Sequence, residues 1–328
     1  MIKNILITGG AGYIGAHVTE IFVKNKKKIF IVDNLSTGFK KLINRKTKFY
    51  KSNILDTKKI KQIIISNKID SVIHLAGSLI IGFGEQHPKL YYKNNVLGTK
   101  SVLLACKNTP VKNFIFSSTA AVYKDKQKIV NENSIIKPKS VYGKTKIKAE
   151  RLIISNCKKL KINYAILRYF NVCGASSSGK IGLISKTDSL FKNISVAIMK
   201  KNPVVKIYGN DYDTPDGTTI RDYIHVSDLA EVHYKILKKI SEVNKSYILN
   251  CGYYRGTSVK EAVNEFKKHS NKIINISYQK KRIGDLAMVI ANNKKLKKTI
   301  KWKPKYYKLS RIVKSCILWE KKQLTGKF

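Results

Sequence analysis

The fold of this chain is decided near its start by the stretch Ile5-Leu6-Ile7-Thr8-Gly9-Gly10-Ala11-Gly12-Tyr13-Ile14-Gly15. A short apolar run, typical of a buried strand, leads into the glycine spacing Gly9-x-x-Gly12-x-x-Gly15 and then into a helical pattern. Glycines at this spacing allow a tight turn, close approach of the backbone to a pyrophosphate and close packing of helix on strand. The start of the helix offers free N–H groups to phosphates. The stretch therefore predicts a dinucleotide-binding unit.

An acidic residue follows at the distance that such a unit requires. Asp33 ends the second apolar run, about 20 residues after the glycines, where a carboxylate can bind the adenosine ribose hydroxyls. Because this carboxylate would repel a 2′-phosphate, NAD is favoured over NADP. An ordinary strand–turn–helix with an aspartate at a strand end is the alternative, and the glycines alone would not exclude it.

The first half of the chain alternates apolar strands with helical stretches. Strands are predicted at Ile5–Thr8, Ile29–Val32, Ser71–Leu75, Phe114–Ser117 and Tyr164–Arg168, and helices near Ile14–Lys24, Thr57–Ser66, Tyr91–Cys106 and Val141–Cys157. This alternation predicts an α/β fold with a Rossmann-type doubly wound parallel sheet. We expect an NAD-binding domain at residues 1–171, to which segments near 218–251 return. Residues 172–328, with helices near Ser258–His269 and Ser310–Lys322, are expected to form mainly a smaller mixed α/β substrate-binding domain.

Composition limits the partners that the chain can have. The formal net charge is +45, but lysines occur along the whole length and no basic motif with interleaved aromatic residues stands out. This pattern favours drift of solvated positions toward lysine over a specific nucleic-acid site. No apolar run approaches the roughly 20 residues of a membrane helix, no signal peptide is evident, and the five cysteines form no C-x-x-C pair. We expect a cytoplasmic protein with no specific nucleic-acid partner, no membrane partner and no metal.

The stretch Tyr142-Gly143-Lys144-Thr145-Lys146 carries candidate chemistry. Its tyrosine and second lysine, four positions apart, share one face of a helix. A nearby ammonium favours the phenolate and lowers the pKa of tyrosine from its usual value of about 10. Such a tyrosine can take a proton from a sugar hydroxyl near neutral pH. In a lysine-rich chain the same spacing also arises by chance on a surface helix, so the rest of the chain must decide.

With these motifs the chain resembles the UDP-glucose 4-epimerases of the extended short-chain dehydrogenase/reductase family, from about Met1 to Lys322. The resemblance rests on Thr8–Gly15, Asp33–Leu35, Val72–Gly77, Tyr91–Asn95, Phe116–Tyr123, Tyr142–Lys146, Leu167–Asn171 and Tyr208–Leu229. It implies interconversion of UDP-glucose and UDP-galactose: NAD takes a hydride from C4, the 4-keto sugar rotates, and the hydride returns to the other face. It also implies a homodimer formed through a bundle that includes Tyr91–Cys106 and Val141–Cys157.

The resemblance assigns roles to individual positions. Tyr142 is the expected acid/base toward the sugar 4-hydroxyl, Lys146 lowers its pKa, and Thr119 shares the hydrogen bond to O4. Cofactor binding is expected from Gly9, Gly12, Tyr13, Ile14, Gly15, Asp33, Asn34, Asn53, Ile54, Leu75, Ala76, Gly77, Asn94, Tyr142, Lys146 and Tyr169. Substrate binding is expected from Thr119, Tyr142, Asn171, Ser189, Leu190, Tyr208, Arg221, Tyr223, Arg282 and Asp285. The arginines suit a diphosphate because their planar fork binds oxyanions bidentately. His74 and His225 are expected to be structural rather than metal ligands.

Three departures from the family pattern affect ligand binding. Leu79 stands where many epimerases have a lysine that contacts the cofactor, so NAD is expected to be held less tightly. Asn53 replaces an aspartate that meets the adenine amino group, although its carbonyl can accept the same hydrogen bond. Val289 falls where some members have a tyrosine lining the sugar pocket, which leaves room for the 2-acetamido group of UDP-N-acetylglucosamine.

Other interpretations share parts of this pattern. Related 4,6-dehydratases and decarboxylases place an acidic residue just after the catalytic-strand Thr or Ser, where this chain has Ala120 and Ala121. An epimerase of a UDP-pentose would share every motif and stays open. A different class, an NAD-binding regulatory or nucleic-acid-associated protein built on a retired dehydrogenase, predicts loss of the Tyr142–Lys146 pair, which is intact.

Overall fold

The computed structural model describes residues 2–125, 127–185, 189–281 and 285–326. Its strands are β1 Asn4–Thr8, β2 Lys28–Asp33, β3 Lys48–Lys51, β4 Ser71–His74, β5 Asn113–Thr119, β6 Ile129–Val130, β7 Asn163–Tyr169, β8 Asn171–Cys173, β9 Val204–Tyr208, β10 Ile220–His225, β11 Tyr247–Cys251, β12 Gly256–Ser258, β13 Asn275–Gln279 and β14 Met288–Ala291. Its α-helices are α1 Tyr13–Lys24, α2 Thr57–Ser66, α3 Ile81–Gln86, α4 Pro88–Tyr91, α5 Gly98–Ala105, α6 Val141–Leu160, α7 Leu190–Ala197, α8 Val226–Val243, α9 Val259–Ser270, α10 Lys294–Ile300 and α11 Leu309–Leu324.

A seven-stranded sheet with strand order β11-β7-β5-β4-β1-β2-β3 forms the centre of the structure. All of its neighbouring strands pair in parallel. Side chains of β1 alternate between its faces: Ile5 and Ile7 belong to the core shared with α1 and α8, and Leu6 to the core shared with α2, α5 and α6. Both faces are therefore covered, which explains why the strands are almost continuously apolar. The predicted Rossmann-type parallel fold is confirmed.

Two strands of this sheet were missed by the sequence patterns. β3 is short and only half-buried, and β11 comes after a long excursion of the chain, pairing Tyr247–Cys251 with Ala165–Tyr169 of β7. The helix before β11, α8, packs against α1. On this basis we propose that residues 1–171 form the cofactor domain together with α8 and β11. Both of these elements lie in the segment near 218–251 that was expected to return to this domain.

The remaining strands form two smaller sheets. One has strand order β12-β10-β14-β6, and β8 pairs the end of β10 that β12 and β14 leave free. The other consists of β9 and β13. The junction between the sheets is short, because β8 begins two residues after β7 ends. Among the described residues, no helix has the length and apolar character needed to cross a bilayer.

The helix predicted near Tyr91–Cys106 is present, but it is not α-helical throughout. The α-helical turns of α4 give way to a π-helical segment, Tyr92–Leu97, before α5 continues. A π-helical segment widens the turn and often occurs at functional sites. Here it contains Asn94 and Asn95, and Asn95 is buried.

The parallel arrangement collects the predicted site residues at one edge of the sheet. Thr8 at the end of β1 lies beside His74 at the end of β4, and Thr119 at the end of β5 lies beside Tyr169 at the end of β7. Parallel strands of an open sheet bind ligands at this carboxyl edge. The fold therefore directs the search for a site to the loops after β1, β2, β4, β5 and β7.

We expect the protein to lose stability in mild acid. Burial lowers the pKa of four described histidines, to about 4 for His17 and His233 and to about 3 for His74 and His225. Because unfolded histidine titrates near pH 6.5, the unfolded chain takes up protons below that pH that the folded chain does not, and stability falls. Each such histidine contributes on the order of 1 kcal/mol of this loss by about pH 5.5.

The measurement is the Tm near neutral pH and near about pH 5.5, where the Tm is expected to drop by several degrees. Asp222 opposes the trend in part, since burial raises its pKa to about 6 and the folded state then gains a proton in this range. Substituting His74→Gln should reduce the drop, and an unchanged Tm in the unmodified protein would contradict the prediction.

Candidate active site

The glycine-rich turn after β1 has the geometry of a phosphate cradle. Gly9 has φ of +73°, a conformation that L side chains rarely adopt, and a Cβ there would lie 2.7 Å from the Ala76 backbone nitrogen. A Cβ on Gly15 would lie 2.2 Å from the Gly9 carbonyl oxygen. The glycines therefore permit both the turn and the tight seat of α1 against it.

Polar groups at this turn fit a dinucleotide. Gly12 is the N-cap of α1, and no described side chain caps the first turn, which leaves its N–H groups for a ligand. The Asp33 carboxylate at the end of β2 accepts hydrogen bonds from the Ala11 nitrogen, at 3.0 Å, and the Leu35 nitrogen, at 2.8 Å. Each carboxylate oxygen has a further lone pair that could accept from a ribose hydroxyl. The residues present therefore fit the predicted NAD.

Two of the predicted cofactor residues use their phenols within the protein. The Tyr13 hydroxyl donates to the Gly174 carbonyl at 2.6 Å, and the Tyr169 hydroxyl lies 2.6 Å from His233 Nε2. A ligand can meet these residues through backbone or ring atoms, or by donating a hydrogen bond to the phenol oxygen. Ile14, at the same turn as Tyr13, is partly buried against the core.

The predicted cofactor residues after β2 and β3 also form hydrogen bonds within the protein. The Asn34 side-chain carbonyl accepts from Ser36, and that of Asn53 accepts from the Leu55 nitrogen at 3.0 Å. The Asn53 oxygen still has a second lone pair for a ligand. Both lone pairs of the Asn34 oxygen are used by the Ser36 nitrogen and hydroxyl, so a ligand would meet Asn34 through its amide nitrogen. Ile54 is buried beside them.

The loop after β4 faces the glycine-rich turn. It contains the predicted Leu75, Ala76 and Gly77, all half-buried, and Asn94 donates to the Ser78 hydroxyl at 2.9 Å. Leu79, which replaces the family lysine, is 61% exposed. An apolar side chain this exposed supplies no charge to a ligand at the turn.

The three predicted catalytic residues come together at the end of β5 and the start of α6. Thr119 hydrogen-bonds the Tyr142 phenol, and Lys146 lies one turn further along α6. The Ser140 hydroxyl caps α6 by accepting from the Gly143 nitrogen at 3.1 Å. The Thr119–Tyr142 hydrogen bond places two groups that can share the proton of a bound hydroxyl.

The electrostatics of Tyr142 differ from the expectation. We expected Lys146 to lower its pKa, but in the protein alone burial raises the pKa of Tyr142 to about 12, with the Thr119 hydrogen bond opposing. Burial also lowers the pKa of Lys146 to about 7. The Lys146 ammonium lies 4.4 Å from the centroid of the Phe116 ring. The two residues share one face of α6, as their spacing predicts, but burial is the largest effect on the pKa of each.

Two further residues hold α6 in place and were missed by the sequence analysis. The buried Asn95 amide donates to the Ser78 carbonyl at 3.1 Å and to the Thr145 hydroxyl at 3.0 Å. The Glu85 carboxylate accepts from the Val141 nitrogen at 2.8 Å, at the first position of α6. Asn95 follows the predicted Asn94 directly, which was a usable signal, whereas nothing local marks Glu85.

The predicted substrate residues gather around β10. Asn171 of β8 lies opposite Tyr223, and Arg221 pairs with Asp285 at 2.6 Å. The Tyr223 ring lies 4.7 Å from that of Phe191 at the start of α7. This cluster adjoins the catalytic one, because Asn171 follows Tyr169 by two residues.

Three further predicted substrate residues lie on α7 and β9 or directly before them. Ser189 is the N-cap of α7 and Leu190 its first residue, while Tyr208 ends β9. Arg282 lies outside the described residues.

His74 and His225, which were expected to be structural, both form hydrogen-bond contacts within the protein. His74 lies 2.7 Å from the Thr8 hydroxyl and 3.1 Å from that of Thr99, and His225 accepts from the Ser227 nitrogen at 3.0 Å. In the part of the chain that is described, no three His, Cys, Asp or Glu side chains come together as a metal site.

Substituting Gly15→Ala is expected to weaken NAD binding strongly and to destabilise the protein. The new methyl would lie 2.2 Å from the Gly9 carbonyl oxygen, which forces α1 away from the turn. The loss of stability should be about 1–3 kcal/mol, as for other overpacked sites. Thermal unfolding with and without NAD measures both effects. Gly82→Ala is the control, since a Cβ at Gly82 meets nothing within 4 Å. NAD-dependent stabilisation of Gly15→Ala equal to that of the unsubstituted protein would contradict the prediction.

A tyrosine and a lysine on one helix face, beside a glycine-rich dinucleotide turn on a parallel α/β sheet, are typical of enzymes of the extended short-chain dehydrogenase/reductase class. Comparison with known proteins narrows this further. The model of the NAD dependent epimerase/dehydratase family matches residues 5–252, and the chain belongs to that family.

Individual relatives are similar over nearly the whole chain. The UDP-glucose 4-epimerase of Lactobacillus helveticus is 36% identical over 325 residues, 98% of each chain. The structure of UDP-glucose 4-epimerase from Brucella ovis in complex with NAD is 33% identical, with a TM-score of 0.91, and covers 96% of this chain and 97% of that one. The UDP-Glc/GlcNAc 4-epimerase from Campylobacter jejuni is 36% identical, with a TM-score of 0.85, and covers 98% of this chain and 99% of that one.

Proposed function

We propose that this protein is an NAD-dependent 4-epimerase that interconverts UDP-glucose and UDP-galactose. The observation that carries the proposal is the hydrogen bond of Thr119 to the Tyr142 phenol, with Lys146 on the same helix face. Relatives named UDP-glucose 4-epimerases at about a third identity over the full chain support it.

The cofactor would be held by the backbone of Gly9–Gly15, by Asp33 and by Lys146. When bound, NAD supplies the hydride acceptor, and then the hydride donor, for the sugar C4. Tyr142 removes the proton from O4 and later returns it, while the Thr119 hydroxyl keeps that oxygen in line. A positive charge on Lys146 favours the Tyr142 phenolate, so the two side chains titrate as a coupled pair.

The nucleotide end of the substrate is bound on β10 and its neighbours. Arg221 binds the diphosphate with its guanidinium fork, displacing part of its present contact with Asp285. Asn171, Tyr223 and the start of α7 line the same cluster. Firm binding at this end allows the sugar itself to be held loosely enough to turn between the two hydride transfers.

The test is to mix purified protein with UDP-galactose, with and without added NAD, and to look for UDP-glucose. Conversion is expected, and added NAD should raise the rate because exposed Leu79 replaces the family lysine and leaves NAD less tightly held. No conversion even with NAD supplied would contradict the proposal.

A second substrate, UDP-N-acetylglucosamine, is favoured by one position. Val289 lies beside Arg221 in the pairing of β14 with β10, where its small side chain leaves room for a 2-acetamido group. The similar Campylobacter jejuni protein is a UDP-Glc/GlcNAc 4-epimerase. Turnover of UDP-N-acetylglucosamine is expected, and Val289→Tyr should reduce it more than turnover of UDP-galactose. Parallel assays with UDP-xylose and UDP-arabinose test the pentose alternative, which better turnover of those sugars would favour.

We also propose a homodimer formed through the π-helical segment, α5 and α6. A groove of about 530 Å³ between the π-helical segment and the start of α6 is lined by Tyr92, Leu97 and Val141 and rimmed by lysines, and Leu104 of α5 is exposed. Light scattering should give the mass of two chains, and Leu97→Glu should give one. A monomer in the unsubstituted protein would contradict this.

The described cysteines are all free, which suits the proposed cytoplasmic location.

A further inference from the structure

We propose that Glu150 is a positioning residue for this reaction: its buried carboxylate joins the two strand ends that carry Thr119 and Tyr169 to the helix that carries Tyr142 and Lys146. This role of Glu150 rests on the epimerase function proposed above. Glu150 lies one helical turn beyond Lys146, which is itself one turn beyond Tyr142, so all three side chains share one face of α6.

The contacts of Glu150 reach both neighbouring strands. The side chain is 1% exposed and accepts a short hydrogen bond from the Ser118 hydroxyl of β5. Arg168 of β7 donates from Nε at 3.0 Å to one carboxylate oxygen and from Nη2 at 2.7 Å to the other. One carboxylate therefore ties three elements together, and its bidentate bond with Arg168 fixes direction as well as distance.

Each partner of Glu150 directly precedes a site residue. Ser118 is followed by Thr119, Arg168 is followed by Tyr169, and the two pairs lie opposite each other in the parallel pairing of β5 with β7. A shift of the carboxylate would consequently move both strand ends relative to α6. A displacement of about 1 Å at reacting groups can cost about a hundredfold in rate.

The network continues away from the site. Arg168 Nη1 donates to the Tyr123 hydroxyl at 3.0 Å, and that hydroxyl donates to the Asn250 side chain of β11 at 2.6 Å. The guanidinium is therefore held on both sides, by Glu150 and by Tyr123. Buried ion pairs seldom add net stability compared with apolar packing, so a role in placing other groups accounts better for a charge cluster here.

Charge at Glu150 also reaches Lys146. The carboxylate raises the pKa of Lys146, opposing the larger effect of burial. Among the other titratable groups around this lysine, His74 on β4 is neutral and Tyr142 lies on the same helix face. The end of β7 adds Arg168, which is paired to Glu150, and Tyr169, which interacts with Tyr142. Glu150 is thus the anion that favours the charged form of Lys146.

The experiment compares the pH profile of kcat in the full-length protein and in Glu150→Gln, with UDP-galactose and saturating NAD. The amide keeps the shape but removes the charge and one acceptor oxygen. We expect kcat to fall about 10- to 100-fold with little change in KM, because the effect lies in geometry and proton transfer. The alkaline limb of the profile should move to lower pH, since Lys146, which must be charged to favour the Tyr142 phenolate, loses its proton more easily. Glu150→Asp, which restores the charge, should return the limb toward its original position.

Glu320→Gln is the matched control for loss of a buried ion pair. Glu320 of α11 pairs with Lys192 at 2.7 Å, with side-chain exposures of 7% and 8%. This variant should lower the Tm without moving the pH profile. If Glu150→Gln does not fold, Ser118→Ala, which removes one contact and no charge, should lower kcat severalfold with little change in KM.

The outcomes separate the two proposals. An inactive unsubstituted protein contradicts the epimerase function. If the unsubstituted protein is active, a folded Glu150→Gln with normal kcat and an unmoved alkaline limb contradicts the role of Glu150. So does a Glu320→Gln variant that moves the alkaline limb equally, or, where Ser118→Ala is used in place of Glu150→Gln, a Ser118→Ala variant with normal kcat.

Discussion

Substituting Tyr142→Phe is expected to lower kcat for UDP-galactose by about 10²- to 10⁴-fold, the usual contribution of a positioned acid/base. The phenol hydrogen-bonds Thr119 at the end of β5 and shares the α6 face with Lys146, so removing one oxygen removes the group proposed to move the O4 proton. KM should change little, because the nucleotide end is proposed to be held by Arg221 and Tyr223 on β10. Steady-state kinetics at saturating NAD measure both constants.

A second tyrosine serves as the control for Tyr142→Phe. The Tyr50 hydroxyl, on the edge strand β3, accepts a hydrogen bond from Asn67 at 2.9 Å, far along the sheet from the end of β5. Tyr50→Phe should leave kcat unchanged. A folded Tyr142→Phe protein with a kcat close to that of Tyr50→Phe would show that another group moves the proton.

Substituting Arg221→Ala is expected to raise KM for UDP-galactose by about 10- to 150-fold. Charge-assisted hydrogen bonds contribute about 1.5–3 kcal/mol each, and the guanidinium is proposed to bind the diphosphate. Arg221 is 14% exposed and its Nη2 lies 2.6 Å from the Asp285 carboxylate, so the substitution also leaves that anion without its partner and facing the incoming diphosphate. Arg221→Lys should recover only part of the affinity, because an ammonium lacks the planar fork.

Binding of UDP alone, followed by calorimetry, isolates this effect from catalysis. Arg311→Ala is the matched control, since Arg311 is an exposed arginine on α11 that donates to the Lys305 carbonyl at 2.8 Å. Its KM and its affinity for UDP should match those of the unsubstituted protein. Unchanged UDP affinity in Arg221→Ala would place the diphosphate elsewhere.

Local sequence patterns were sufficient to predict features that depend only on residues close together in the chain. The spacing of Gly9, Gly12 and Gly15 predicted the turn, because the steric demand of a tight strand–turn–helix falls within a few residues. Periodicity predicted α6, and with it the common face of Tyr142 and Lys146. Such features are nearly independent of the rest of the chain.

Predictions from local pattern were incomplete where distant segments pair. β11 was missed because Tyr247–Cys251 completes the sheet only by lying beside β7, which ends at Tyr169. The π-helical turn at Tyr92–Leu97 was missed as well, since its widened geometry accompanies contacts of Asn95 with Ser78 and Thr145. Sequence periodicity contains no information about either partner.

The sequence was sufficient to predict which chemical groups this protein has and which of them share a turn or a helix face. Only the tertiary structure decided the pKa values of these groups and the contacts that hold them in position. Burial, which depends on packing of the whole molecule, raises the pKa of Tyr142 although Lys146 lies one turn away. The Glu150 carboxylate meets Ser118 and Arg168 only because β5, β7 and α6 pack together. Desolvation and long-range pairing act through space, so the order of residues along the chain does not specify them locally.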